Sequence, residues 1–161
     1  MEARRASQPS YPFQLSLRIR HPSIDPAAIS QELQIEPEHS FRAGDPRESR
    51  SVAVTSVHVE SYWLATLDLS ALLLGTPETA LVAGHTQAIA FSALDTVLAI
   101  LVSSVLRRHA QFFHRMQSEG GEVRLIVAIS ARKSRGFTLT PQLSKALSEL
   151  RIPVDFELAH R

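Results

Sequence analysis

Residues 23–37 read SIDPAAISQELQIEP, and residues 140–153 read TPQLSKALSELRIP. Each stretch opens with a residue that can cap a helix, Asp25 or Thr140, followed by a proline that loses no hydrogen bond at the first helical position. A short apolar helical stripe comes next, and each stretch ends at a proline. Each stretch also follows a run of alternating apolar and polar residues. The sequence therefore predicts one supersecondary unit, strand–capped helix–strand, that occurs twice.

Alternating side chains predict the strands of the sheet. The stretch FQLSLRI, residues 13–19, has one apolar and one polar face, which is typical of a half-buried strand. The stretches around Trp63 and at 122–132 carry apolar residues on both faces, which favours interior strands. Residues 152–158 predict a last strand, and the valines of 52–59 predict a further strand interrupted by a bulge.

A long helix is predicted from Ser92 to the glycine pair that begins at Gly120. Its apolar residues keep helical spacing over about 27 residues, or roughly 40 Å. Part of it overlaps an apolar stretch at 88–106, but Asp95 and several hydroxyl side chains make that stretch too polar for a membrane span. We interpret it as a buried core helix whose C-terminal end either extends into solvent or packs on another element.

These elements together predict an α+β fold. We expect an antiparallel or mixed sheet of about five strands, with one long and two short helices packed mainly on one face. Residues 1–11 are predicted to form a disordered N-terminal arm, and residues 12–161 to form a single domain. Residues 71–91 carry no clear pattern beyond a turn, so they suit either a short strand or a lid over a site.

An ordered set of residues resembles a known family: Asp25-Pro26-x-x-Ile29-x-x-x-Leu33-x-Ile35-x-Pro37, then basic-x-Gly44-Asp45, then Trp63 opening a strand. This set is similar to the bacterial domain-of-unknown-function family four-two-seven-nine, and the order of elements is similar from Phe13 to about Leu158. The resemblance implies an α+β domain without an assigned activity, cofactor or catalytic residue. The chain departs from the family at 71–91, which is longer, and at 155–157, where a tyrosine is more typical.

Composition excludes several classes of function. Lys and Arg number 17 against 16 Asp and Glu, so the net charge of +1 gives no electrostatic reason to expect a nucleic-acid partner. Cysteine is absent, which excludes disulfides and thiolate metal sites. We therefore expect a cytoplasmic protein with no membrane partner, no nucleic-acid partner and no cofactor.

The most charged stretch of the chain is FRAGDPRESR, residues 41–50. Arg42 and Arg47 could converge on a carboxylate or phosphate group, because guanidinium groups bind such groups through two parallel hydrogen bonds. The alternative is a solvated turn, in which Gly44 takes a positive φ and Asp45 pairs with the arginines. Trp63, the only tryptophan, is either a core residue or an aromatic platform for a ligand. Arg42, Asp45, Arg47 and Trp63 are therefore the candidate residues for binding a ligand or partner.

No motif of catalysis or metal binding is present. There is no nucleophile elbow, phosphate loop or His-Glu-x-x-His pattern. His109 and His114 are five residues apart on the predicted helix, whereas shared metal ligation needs a spacing of three or four. We predict no catalytic residue and no metal ligand.

Surplus apolar residues near the end of the long helix suggest a contact between subunits. Phe112 and Phe113 are adjacent and point in different directions, so only one of them is expected in the core. With Met116 they form the candidate contact of a possible homodimer.

Two hypotheses follow for the function. The first is a binding or interaction domain without catalytic activity, whose partner is a protein or a small molecule. The second is a small-ligand-binding protein or enzyme with a pocket near the 42–50 loop and Trp63, roofed by residues 71–91. The sequence leaves open whether the protein is an enzyme.

Overall fold

The computed structural model describes residues 13–47, 56–69, 94–130 and 138–159. The segments predicted as an N-terminal arm (1–11) and as a possible lid (71–91) lie outside the described residues. Within the described ranges the chain forms a five-stranded sheet and three helices. The elements are β1 (Phe13–His21), α1 (Pro26–Leu33), β2 (His39–Phe41), β3 (Ser61–Thr66), α2 (94–118), β4 (Glu122–Ser130), α3 (Pro141–Leu150) and β5 (Val154–Ala159).

The sheet has the order β2-β3-β1-β4-β5. β1 is antiparallel to both of its neighbours, β3 and β4, and β2 is antiparallel to β3. β5 runs parallel to β4. The predicted α+β class is confirmed, and of the two predicted sheet types, antiparallel and mixed, the sheet is mixed. The strands predicted as interior, β3 and β4, each have a strand on both sides.

The two repeated units place their strands differently. In the second unit, β4-α3-β5, the two strands are direct neighbours and run parallel. In the first unit, β1-α1-β2, strand β3 lies between β1 and β2 and is antiparallel to each. β1 and β2 therefore also run parallel, but as a split pair.

Both short helices begin and end in the same way. Asp25 Oδ1 accepts a hydrogen bond of 2.9 Å from the backbone N–H of Ala27, and Thr140 Oγ1 accepts one of 3.2 Å from the N–H three residues ahead. These contacts satisfy backbone donors that a helix start leaves unpaired. The residue after each helix, Gln34 or Arg151, has a left-handed backbone with φ of 55° or 54°. The sequence did not predict that these helices would end at non-glycine residues with a left-handed backbone.

The long helix α2 is confirmed, but its geometry changes along its length. It runs as an α-helix over Leu94–Ile100, a π-helix over Leu101–Val105, a 3-10 turn over Leu106–His109 and an α-helix over Ala110–Ser118. Its last segment packs on β4 and α3 instead of extending into solvent. None of the described helices is both long enough and apolar enough to cross a membrane.

The core lies on one side of the sheet. Side chains at alternate positions of β1, β3 and β4 are buried in one cluster with residues of all three helices. The opposite side of these strands carries mainly polar side chains at intermediate exposure, among them Ser16, Arg18, Thr66 and Arg124. The helices therefore cover one side of the sheet, as predicted.

Burial corrects the expectation for the end of α2. Phe112 is 6% exposed, Phe113 0% and Met116 1%, so all three belong to the core, and the expectation that one phenylalanine would be exposed is wrong. The physical reason is that this segment has packing partners on two sides, β4 and α3, so two adjacent side chains can both be buried. The homodimer contact predicted on these three side chains therefore has no exposed surface to form on.

Candidate functional site

The charged stretch after β2 forms a tight turn. Gly44 has a φ of +91°, which a side chain at this position would disfavour. Asp45 Oδ2 accepts a hydrogen bond of 2.8 Å from the backbone N–H of Arg42, and the N–H of Asp45 donates to the carbonyl of Arg42 at 3.1 Å. The carboxylate of Asp45 therefore holds the turn from inside. The predicted turn with a positive φ at Gly44 is present, but the guanidinium of Arg42 pairs with Asp25 and not with Asp45.

Beyond the turn, the chain pairs with the segment that precedes β3. The N–H of His58 donates to the carbonyl of Asp45 at 2.9 Å, and the N–H of Arg47 donates to that of Ser56 at 2.8 Å. The described part of the predicted 52–59 strand makes an isolated bridge at Val57 and no regular strand. Glu48 and Arg50 of the charged stretch lie outside the described residues.

A groove opens between α1 and this turn. Its volume is about 770 Å³, and it is open to solvent. One wall is the outer face of α1 with the segment that follows it, and the other wall is β2 with the start of the turn. The lining residues are Asp25, Pro26, Ala27, Ser30, Gln31, Gln34, Glu36, Pro37, Ser40, Phe41, Arg42 and Asp45.

The charges that line the groove are mainly negative. Asp25, Glu36 and Asp45 contribute three carboxylates, and Arg42 contributes the one guanidinium. Arg42 Nη1 lies 3.5 Å from Asp25 Oδ2, and both side chains are more than half exposed. A pair this exposed is weak. The groove thus offers a cationic group the carboxylate of Glu36 and the second oxygen of Asp45, whose Oδ2 already accepts from the backbone N–H of Arg42.

Trp63 supports the groove from behind and does not line it. Its side chain is 0% exposed, and its indole Nε1 donates a hydrogen bond of 3.0 Å to Ser30 Oγ. Ser30 lines the groove, so the tryptophan fixes one of its wall residues from the core side. A direct platform role for Trp63 is wrong for this structure, because no face of the indole reaches the surface.

The four residues predicted to bind a ligand or partner do not meet at one site. Arg42 and Asp45 both line the groove, whereas Arg47 and Trp63 do not. Arg47 is exposed, and its backbone pairs with Ser56 beyond the turn. One of the two interpretations had Arg42 and Arg47 converging on an anion. Only Arg42 borders the groove, and the carboxylates there outnumber it.

An aromatic stack holds the other wall of the groove. The ring of Phe41 stacks on the imidazole of His58 with 3.6 Å between centroids and on the ring of Tyr62 with 5.1 Å between centroids. Phe41 lines the groove. The rings of His58, on the neighbouring segment, and Tyr62, on β3, hold it in position. The stack has no signal in the sequence, because its members lie on three separate segments.

The helical wall of the groove was not among the residues predicted from the sequence. Ser30 and Gln31 lie three and four residues after Ala27, which places them on one face of α1, and Gln34 at the end of the helix lies four and three residues after them. This face is small or uncharged and polar, opposite the buried Ile29 and Leu33. The spacing is the one signal in the sequence that could have identified this wall.

A second polar cluster lies on the side of the sheet away from the helices. Arg124 Nη1 contacts both carboxylate oxygens of Asp155 at 3.1 and 3.2 Å, and its Nε donates to Glu122 at 2.6 Å. Arg18 Nη2 lies 3.4 Å from Asp155. Hydrogen bonds to Glu122 and then to Asp155 raise the pKa of Arg124 above its ordinary value. These contacts tie β1, β4 and β5 together, so we assign them to the sheet and not to a site.

Three of the described histidines have separate hydrogen-bonding partners. His21 is buried, and its Nδ1 accepts hydrogen bonds from the backbone N–H groups of Ser23 and Ile24. His109 contacts Glu32, and the exposed His114 contacts the carbonyl of a residue in α3. Within the described ranges, no three acidic or histidine side chains meet in a way that could hold a metal ion. Two further histidines, at 85 and 160, lie outside those ranges.

Comparisons with protein-family models, with curated proteins and with solved structures found no match to this chain. The resemblance to family four-two-seven-nine therefore rests on its ordered set of residues and stays a prediction. An assignment of function therefore depends on the geometry of the groove itself.

Proposed function

We propose that this protein is a cytoplasmic bacterial binding domain whose groove takes an exposed segment of a partner protein. The observation that carries the proposal is the groove between α1 and the 42–45 turn, with its amide, hydroxyl and carboxylate lining. The compartment and the bacterial origin are part of this proposal: the absence of cysteine suits a reducing compartment, and the family that the chain resembles is bacterial. The resemblance brings no assigned activity with it.

The lining favours a segment that carries positive charge. Three carboxylates face the groove with one guanidinium among them. A lysine or arginine side chain entering from the open side could approach Glu36 or Asp45 and gain a charge-assisted hydrogen bond. The side-chain amides of Gln31 and Gln34 can donate to and accept from the backbone of the same segment.

Several wall residues are held before any partner arrives. Ser30 Oγ accepts from the indole of Trp63 at 3.0 Å, and Phe41 is stacked against His58 and Tyr62. Side chains that are already ordered lose less conformational entropy when a partner binds. This pre-organisation supports a binding role for the groove.

The volume of the groove also supports a second candidate function. About 770 Å³ lies within the range of roughly 300–1,000 Å³ that small-molecule sites occupy. Such sites are usually enclosed and mainly apolar, whereas this groove is open and mainly polar. A partner segment is therefore the first candidate, and a small polar ligand is the second.

A matched pair of variants on one helix tests the groove. Ala27 lines it and Ala28 does not, although both are exposed residues in the first turn of α1. We would capture tagged wild type, Ala27→Tyr and Ala28→Tyr from a lysate of the native cell. Retained proteins would be identified by mass spectrometry, and small molecules would be identified after denaturation.

The expected result is a stoichiometric protein that wild type and Ala28→Tyr retain and Ala27→Tyr loses. A small molecule with the same pattern of retention would favour the second candidate. A partner that all three proteins retain equally would refute binding in the groove. Thermal unfolding of the three proteins would show whether any loss comes from misfolding, because both variants place the same side chain on the same exposed turn.

A further inference from the structure

The second half of α2 is basic on its exposed side. Residues 96–118 contain three arginines, two histidines and no acidic residue. Two adjacent phenylalanines and Met116 occupy the buried side of its last segment. We call the exposed side the basic surface, which consists of Arg107, Arg108, Gln111, His114 and Arg115.

Contacts with α3 show how the basic surface is oriented. Arg107 Nη2 lies 3.6 Å from a carboxylate oxygen of Glu149, and His114 Nε2 lies 3.0 Å from the backbone carbonyl of the same residue. Arg108 and Arg115 each follow one of these two residues and therefore point about 100° further around the helix. Among the residues that the structure describes, neither Arg108 nor Arg115 forms an ion pair.

Arg108 and Arg115 are spaced by two helical turns on the same side of α2. Arg108 lies in the 3-10 turn and Arg115 in the last α-helical segment. A rise of about 2.0 Å per residue in the first part and about 1.5 Å in the second separates them by about 11 Å along the axis. The accumulated rotation of about 740° brings them within about 20° of one line. Gln111 lies between them, close to the same line.

The guanidinium of Arg115 is positioned by an aromatic ring. Its central carbon lies 5.4 Å from the centroid of the Phe112 ring, and Phe112 is itself buried in the core. A cation near the face of an aromatic ring is attracted to the negative charge of that face. An arginine that is already held in this way loses less conformational entropy when it binds a carboxylate.

The stability of α2 does not account for all of this charge. A cation in the last turn of a helix is stabilised by the helix dipole, which is reason enough for Arg115. Arg107 and Arg108 lie nearly three turns before the end of the helix at Ser118, where the dipole effect is lost. No residue three or four positions from either arginine is acidic, so the helix offers them no partner of its own.

We propose that the basic surface binds an acidic helical segment of another protein, with glutamate or aspartate side chains seven residues apart. Seven residues of an α-helix rise about 10.5 Å and complete nearly two turns, which matches the spacing of Arg108 and Arg115. Each carboxylate accepts two parallel hydrogen bonds from one guanidinium. Gln111, between the two pairs, donates to or accepts from a polar side chain of the segment. The basic surface is separate from the groove and opposite to it in charge.

A nucleic acid fits the basic surface less well than an acidic helix does. Duplex DNA carries one negative charge per about 1.7 Å of its axis, and proteins match this line of charge with an extended basic stripe. The basic surface has three arginines, and the carboxylate of Glu149 lies beside one of them. The net charge of +1 for the whole chain adds no wider positive field.

The test uses the full chain, labelled with ¹⁵N, and three alanine-rich helical peptides of about 20 residues with blocked ends. The first carries glutamates spaced seven residues apart. The second carries the same number of glutamates spaced five apart, which turns successive carboxylates by about 140° around the helix. The third has glutamine in place of each glutamate of the first. We expect the first peptide to shift the backbone amide signals of residues 107–118 and to bind about fivefold more tightly than the second. The third peptide should not bind.

Variants with one charge removed locate the binding site. Arg108→Gln and Arg115→Gln each remove one guanidinium at little cost in helix propensity. Arg47→Gln removes the same charge from an exposed position beyond the turn after β2. The first two variants should each weaken binding of the first peptide about fivefold and remove the preference for a spacing of seven. Arg47→Gln should change neither the affinity nor the preference.

Four outcomes would overturn the proposal. The first is a set of amide signals at 107–118 that the first peptide leaves unchanged. The second is equal affinity for the two glutamate peptides, because net charge alone would then explain the binding. The third is a duplex DNA oligonucleotide that shifts the same signals at lower concentration than the first peptide. The fourth is a concentration-dependent shift of these signals in the protein alone that Arg108→Gln removes, because the partner would then be a second copy of the chain.

Discussion

The indole Nε1 of Trp63 donates a hydrogen bond of 3.0 Å to Ser30 Oγ, and this contact joins the middle of the sheet to the wall of the groove. The two residues are 33 positions apart in the chain. Trp63 is fully buried, whereas Ser30 reaches the groove. A change in the core at this point is therefore expected to alter the position of α1 and with it the shape of the groove.

Replacing Ser30 should leave the buried indole N–H without an acceptor. A buried donor that loses its partner costs about 1–3 kcal/mol, so Ser30→Ala should lower the free energy of unfolding by about 1–2 kcal/mol after the gain in helix propensity. Ser144→Ala, at an exposed position in α3, provides the matched control, because it has the same propensity gain and no buried partner. Urea denaturation would measure both variants, and equal stabilities would contradict a role for this hydrogen bond.

The turn after β2 should depend on Asp45 more than on Arg42. Asp45→Ala removes the acceptor for the backbone N–H of Arg42 and should cost about 1 kcal/mol, while Asp45→Asn keeps an acceptor and should cost less. Arg42→Ala loses a contact of 3.5 Å between two exposed side chains and should change stability by no more than about 0.5 kcal/mol. Chemical denaturation of the three variants gives the comparison. A loss above about 2 kcal/mol for Arg42→Ala would show that the arginine is structural.

The elements that were predicted correctly are those whose signal is local. The caps at Asp25 and Thr140, the alternation in β1 and the helical stripe of α2 each depend on residues within a few positions of one another. These signals were enough to predict two strand–helix–strand units and an antiparallel or mixed sheet. They could not show that β3 enters between β1 and β2, because strand order depends on contacts distant in sequence.

The candidate site was only half predicted, for the same physical reason. Arg42 and Asp45 were identified from the concentration of charge in one stretch, and both line the groove. The other wall comes from α1, whose groove face is uncharged apart from Asp25 and therefore gave no signal. The burial of Phe113 could not be predicted either, because it depends on β4 and α3 lying on two sides of one helix.

His21 should stabilise the chain reversal between β1 and α1 through its Nδ1 atom. That atom accepts hydrogen bonds of 3.1 and 2.9 Å from the backbone N–H groups of Ser23 and Ile24, and the side chain is 5% exposed. His21→Leu removes the acceptor for two donors and should cost about 2–4 kcal/mol. His21→Asn places an oxygen on the same carbon and should recover at least about 1 kcal/mol of that loss. The idea fails if thermal and urea unfolding show that asparagine is no better than leucine here.

Gly121 should tolerate a side chain less than Gly44 does, although Gly44 is the one with a positive φ. A Cβ at position 121 would lie 2.7 Å from the His21 ring and 2.8 Å from the backbone carbonyl of Met116, and the carbonyl cannot move without breaking its hydrogen bond of 2.8 Å to the N–H of Gly121. Gly121→Ala should therefore cost about 3 kcal/mol, the upper end for overpacking, or prevent folding. Gly44→Ala meets no atom within 4 Å and should cost only about 1–2 kcal/mol from its left-handed backbone. Comparison of the two alanine variants by thermal unfolding separates steric contact from backbone strain. A smaller loss at Gly121 than at Gly44 would mean that α2 and β4 can move apart at their junction, and that the contacts of His21 there are looser than the distances indicate.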